Sequence, residues 1–135
     1  MSHWTDVAAP SLEDLAQLAQ AAFDALPPAI RRAAGEVEFR IDDFADEATL
    51  AGLGIEDPFE LSGLYDGVDR LHQSVLDPTP TIARVFLFRR PILDEWAERG
   101  DVTLGELITH VMVHEIGHHM GLSDDDIVAI ESRTA

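Results

Sequence analysis

The chain contains no cysteine and no lysine. Without cysteine there are no disulfides, thiolate zinc clusters, thiol nucleophiles or iron–sulfur centres. Without lysine there is no Schiff-base amine and no phosphate-gripping lysine of the Walker type. Positive charge is scarce too, with nine arginines against 26 aspartates and glutamates, a formal charge of -17. That field repels phosphate backbones and anionic lipid, which argues against nucleic-acid and membrane-surface partners and favours a cationic one, although solubility alone also accounts for it. No apolar run is long enough to cross a bilayer, and the opening Met1-Ser2-His3-Trp4-Thr5-Asp6 carries no basic targeting region, so a cytoplasmic location is the expectation.

What remains is one ordinary domain's worth of chain, 135 residues with 46% hydrophobic content. Residues 1–10 read as a flexible lead-in and 11–135 as the domain. Ser11 and Asp14 form a capping-box pair ahead of an apolar stripe, Leu12, Leu15, Leu18, Ala19, Ala22, Phe23 and Leu26, which Pro27-Pro28 stops. A short helix over Ala29–Ala34 breaks at Gly35. Alternation over Glu36–Ile41, with Val37, Phe39 and Ile41 on one side, predicts a strand with one wet face. An acidic helix is expected over Asp42–Leu53, then a short strand and hairpin within Leu61–Val68. A turn at Pro78-Thr79-Pro80 leads to a strand over Thr81–Phe88, and Pro91 opens a helix over Ile92–Arg99 that Gly100 closes.

The last third is the most explicit. Thr103 and Glu106 cap a helix expected over Leu104–Met120, apolar on several faces and therefore central to the domain. Gly121 stops it, and Ser123 is placed to cap a final helix over Asp125–Glu131. Inside this interior helix stands His114-Glu115-Ile116-Gly117-His118. Titratable groups are costly in an interior helix, so a function is the expected reason for them. Residues four apart share a helix face, and two imidazoles in that relation reach a single ion. Glu115 lies about 100° around the axis, beside the ion without ligating it. Three residues after Gly121, Asp124 offers a carboxylate as third ligand, leaving an open fourth position of the catalytic kind.

Other readings of these residues stand beside this one. His114 and His118 as a satisfied core pair, Glu115 as a ligand or as a salt-bridge partner of Arg84, Arg89 or Arg90, and Asp124 as a first-turn residue behind Ser123 are the alternatives. Asp125 or Asp126 reaching the ion is another. His119 sits at a different helical angle and reads as a packing residue. His110 falls one turn before His114, roughly on the ligand face, and reads as a partly exposed structural histidine; binding substrate or donating to a carboxylate is the alternative. Tyr65 reads first as a core-packing residue; it and Arg84 are also nominated for oxyanion stabilisation.

The run from His114 to Asp124 resembles the His-Glu-x-x-His-x-x-Gly-x-x-Asp form of the zincin signature, the metzincin type with Asp in place of a third His. More closely, the chain is similar to a family of small bacterial zincin-like metallopeptidases, through Glu36-Val37-Glu38-Phe39, Gly63-Leu64-Tyr65-Asp66-Gly67 and Ile82–Pro91 as well. The resemblance implies an α+β fold: a minimal zincin-like single domain, with a small mixed sheet packed on a central metal-binding helix. It implies Zn2+ on His114, His118 and Asp124, Glu115 as general base, and hydrolysis of a peptide or protein substrate. The strand at Ile82–Phe88 would be the edge along which the peptide lies. The methionine turn that metzincins carry beneath the metal is not found in the eleven residues after Asp124. The alternative within the same fold is an inactive metal-binding protein that acts as a binding or regulatory module.

Overall fold

A computed structural model describes residues 3–66 and 83–134, the side chains of 3, 119, 124, 133 and 134 excepted. A 3-10 turn over His3–Asp6 precedes α1, Leu12–Asp24, whose start is the expected box: Ser11 Oγ accepts from Asp14 N at 3.1 Å and Asp14 Oδ2 accepts from Ser11 N at 2.8 Å. Helix α2, Pro28–Ala34, takes Pro28 into its first turn, where no amide hydrogen bond is lost. Gly35 follows with φ 75°, a region that side chains disfavour. Strand β1 covers Val37–Asp42.

The expected helix over Asp42–Leu53 is shorter than the sequence suggests. Helix α3 runs over Glu47–Leu53, because Asp42 continues β1 opposite Phe88 and Asp46 serves as the cap. A 3-10 turn, Pro58–Glu60, leads into β2, Gly63–Asp66. The expected hairpin turn and the turn at Pro78-Thr79-Pro80 lie outside the described residues. Strand β3 is Ala83–Phe88, and α4, Arg89–Arg99, begins two residues before the expected position, with Pro91 tolerated in its first turn. Helix α5 spans Leu104–His119, and α6 spans Asp124–Thr134.

The three strands form a mixed sheet in the order β1-β3-β2. β1 runs parallel to β3, Val37 opposite Ala83, and β2 runs antiparallel to it, Gly63 opposite Leu87. One face of the sheet, with Phe39, Ile41, Val85 and Leu87, packs on α1 and α5; Phe23 meets Phe39 edge to face at 6.0 Å. Helix α5 lies at the centre, touching α1, α4, α6, β2 and β3. Its Leu107, Ile108, Met112, Val113 and Ile116 are buried. Each such side chain contributes about 1.5–3 kcal/mol on burial, so this helix is the best-anchored element of the fold. No described helix is long and apolar enough to cross a membrane.

Candidate functional site

The apolar residues of α5 hold the helix against the sheet and α1, which leaves one flank at the surface. Along that flank stand His110, His114 and His118. The rings of His114 and His118 meet edge to face, centroids 4.4 Å apart, and their Nε2 atoms approach to 2.9 Å. Two imidazole nitrogens sharing a tetrahedral zinc at 2.0–2.1 Å would sit about 3.3 Å apart. The pair is therefore within a few tenths of an ångström of the separation that one ion requires. An N–H of one ring donating to the bare nitrogen of the other gives the same approach without an ion. The hydrogen bond uses one bare Nε2 as acceptor, whereas an ion uses both.

Glu115 points to the neighbouring strand. Its Oε2 accepts from the backbone N–H of Tyr65 at 3.2 Å, a contact between residues 50 apart in sequence. Phe88 N donates to Ser62 O at 2.9 Å, so Ser62, Leu64 and Asp66 direct their backbone groups toward β3. Gly63 and Tyr65 direct theirs the other way, toward the edge of β2 that no described strand covers. The open side of β2 thus borders the His/Glu flank of α5. Gly63 makes the approach possible: a Cβ there would come within 2.7 Å of Val111 Cγ1 and 3.3 Å of Glu115 Cγ. A depression of about 230 Å³ lies here, between Ser62-Gly63, Glu95, Arg99, His110, His114 and Glu115.

The structure brings together His114, Glu115 and His118 of the residues singled out in the sequence. Asp124 is the first residue of α6, immediately after Ser123, whose Oγ accepts from Asp126 N at 3.2 Å while Asp126 Oδ2 accepts from Ser123 N at 3.3 Å. Asp126 is thereby occupied in a capping box. The side chains of Asp124 and His119 are outside the description, and among the described residues no three His, Asp or Glu side chains converge as an ion-binding group. Helix α5 does end so that the chain can turn back, since Gly121 has φ 71° and Leu122 N donates to Gly117 O at 2.9 Å.

Several expectations are corrected. Strand β3, the described part of the expected edge, is not an edge: β1 and β2 occupy both its sides, so a peptide cannot add to Ala83–Phe88. Among the described strands β1 and β2 are the edges, and β2 is the one beside the His/Glu flank of α5. Arg84 stands on the opposite face of the sheet from α5, paired with Glu38 at 3.3 Å, and is too far round to serve an oxyanion. Tyr65 contributes its backbone to the site while its ring packs against the core. None of the proposed arginine partners holds Glu115; Arg89 binds Asp43 and Pro10 O, and Arg90 lies over the Phe44 ring at 5.8 Å. His110, exposed as expected, places Nδ1 2.9 Å from Glu131 Oε1, the contact raised only as its alternative, and stacks on His114 at 5.9 Å. Sequence reasoning missed Gly63 and the Tyr65 amide. A lone glycine inside a strand is the available signal for the first, since it marks a close backbone approach.

A family model described as a zincin-like metallopeptidase matches residues 34–134. The chain belongs to this family. The match spans every element from β1 to α6 and leaves α1 and most of α2 ahead of it. In this zincin-like chain, the helix that carries His-Glu-x-x-His is also the central helix of the core, as the fold requires. Among curated proteins no significant match is found.

Proposed function

We propose that this zincin-like protein is a zinc-dependent metallopeptidase, with His114, His118 and Asp124 holding the ion and Glu115 as general base. The observation that carries the reading is the convergence of the His114 and His118 Nε2 atoms at 2.9 Å, directly beside a carboxylate fixed against a strand edge. A bound zinc ion supplies Lewis acidity, polarising a carbonyl and lowering the pKa of water. The donor set suits it: two imidazoles and a carboxylate, with no thiolate in the chain to compete.

The chain's own groups do the rest. Glu115 takes a proton from the attacking water at its carboxylate and returns it to the leaving amine. The Tyr65 N–H holds that carboxylate against β2. A substrate strand lies along β2, beside the depression that Ser62 and Gly63 border, and main-chain pairing there recognises peptide irrespective of sequence. This assigns to β2 the role that the sequence suggested for β3.

The test is metal content by elemental mass spectrometry on tag-free protein, followed by a peptide-library cleavage screen. About one zinc per chain is expected, lost in His114→Ala. Glu115→Gln keeps the zinc and loses at least about 100-fold in hydrolysis. Undiminished turnover in zinc-loaded Glu115→Gln removes Glu115 from its role. Stoichiometric zinc with no cleavage of any peptide leaves the inactive metal-binding module as the reading that stands.

A further inference from the structure

The outer face of the sheet, opposite α5, carries a groove of about 660 Å³. Its floor is apolar: Leu64 from β2 with Phe86 and Phe88 from β3, the two rings parallel and 6.4 Å apart. Phe44, on the loop after β1, lines it as well. Leu64 and Phe86 are half-buried and Phe88 is buried, at outward positions that are normally polar in a half-buried sheet. Aspartates surround it and none of its described lining residues is basic, with Arg84 opposite Asp66 in the ladder and Arg90 over Phe44 at its rim. Asp43 is answered by Arg89 at 3.2 Å, and Asp46 is used as the cap of α3. Asp42 and Asp66 are exposed, with no partner among the described residues.

The position of this groove follows from the register of β2. Leu64 and Asp66 face outward, while Gly63 and Tyr65 face the metal-site flank. A peptide paired to the open edge of β2 alternates in the same way. Its residue opposite Leu64 therefore projects over the outer face, about 5 Å from Leu64 and about 7–8 Å along the diagonal from Asp66. A long side chain spans that diagonal. Leu64 and Phe86 cover an apolar stem, and Asp66 meets the head.

We propose that this groove selects the substrate side chain opposite Leu64, and that it takes a long cationic one, arginine before lysine. The inference rests on the peptidase reading only for the edge along which the peptide lies. Arginine is preferred because its planar guanidinium packs on aromatic rings as well as pairing with carboxylate. The aromatic wall already does this within the chain, where Arg90 lies over Phe44. The formal charge of -17 adds long-range attraction for such a substrate. Specificity is thus set on one face of the sheet and bond cleavage on the other, with β2 as the shared element.

The experiment uses zinc-loaded full-length Glu115→Gln and matched fluorescent peptides that differ at one position, Arg, Leu or Glu, with binding read by anisotropy. The Arg peptide is expected to bind at least about tenfold tighter than the Leu and Glu peptides. Asp66→Asn removes that preference and Asp66→Arg turns it toward Glu. Glu13→Gln, the same charge change on α1, leaves it intact. Equal binding of the three peptides, no binding of any of them, or a preference that survives Asp66→Arg overturns the proposal. Wild-type hydrolysis is read in parallel on the same peptides. Arg-selective binding without hydrolysis fails the peptidase reading alone, and hydrolysis indifferent to the varied residue fails the specificity proposal alone.

Discussion

At the scale of single residues, the site depends on one missing side chain as much as on those present. Gly63 lets β2 approach α5 until the Tyr65 N–H reaches Glu115, and a Cβ there would press on Val111 and on Glu115 itself. Gly63→Ala is expected to cost about 1–3 kcal/mol, the usual range for overpacking. It is also expected to lower hydrolysis well beyond the loss of folded protein, with zinc content unchanged. Chemical denaturation, elemental analysis and peptide turnover on the same preparation check this. Full turnover in the folded variant would show that the Tyr65 contact has no part in placing Glu115. The histidine pair and Glu115 were legible from spacing, because i and i+4 positions of one helix share a face whatever surrounds it. The function of Gly63 was not, since the atoms it makes room for belong to an element about fifty residues away.

Two predictions belong to whole elements. Helix α6 packs against α5 at Gly117, the fourth residue of the motif, where a Cβ would stand 2.5 Å from Ile127 Cγ1 and 2.7 Å from Cδ1. Gly117→Ala is expected to destabilise by about 1–3 kcal/mol. Combining it with Ile127→Ala should cost less than the sum of the two single changes, because the added methyl enters the space that the isoleucine leaves. A double-mutant cycle by urea unfolding measures this coupling, and simple additivity would place the two residues out of contact. The motif glycine therefore fixes the seat of α6, whose first residue is Asp124.

Helix α3 supplies the second. The Thr49 hydroxyl, and then its amide, hold the Asp46 carboxyl below the usual carboxylate range. A depressed value in the folded state stabilises above the unfolded-state pKa and is lost as pH falls through the folded one. Acid below about pH 4 is thus expected to loosen α3. Asp46→Asn, which caps without a charge, should flatten this part of the pH dependence in melting curves taken from pH 6 downward. An identical acid slope in the variant would remove Asp46 as its source. The position of α3 was misjudged from sequence because acidic residues and a closing Gly54 are equally compatible with a strand end, a loop and then a helix. Asp42 pairing across to Phe88 settles it, and that pairing is non-local.

For the molecule as a whole, the proposed zinc site implies that metal and fold are coupled. Zinc at a hundredfold excess over its dissociation constant should raise the unfolding free energy by about 2.7 kcal/mol, roughly a 10 °C rise in melting temperature for a chain of this size. A chelator should reverse the shift and His114→Ala should abolish it. A melting temperature indifferent to zinc would reduce the histidine pair to an ordinary hydrogen bond between imidazoles. Affiliation, fold class and the central helix were readable from the chain itself. The caps at Ser11 and Thr103, the stop at Gly121 and the apolar periods are local, and local interactions act before the chain closes on itself. The choice of sheet edge was decided only in three dimensions. β2 and β3 both read as short strands, and nothing within either segment says which will be flanked on two sides. That depends on β1 closing in parallel on β3 across more than forty residues, which leaves β2 and its glycine beside the helix that carries His-Glu-x-x-His.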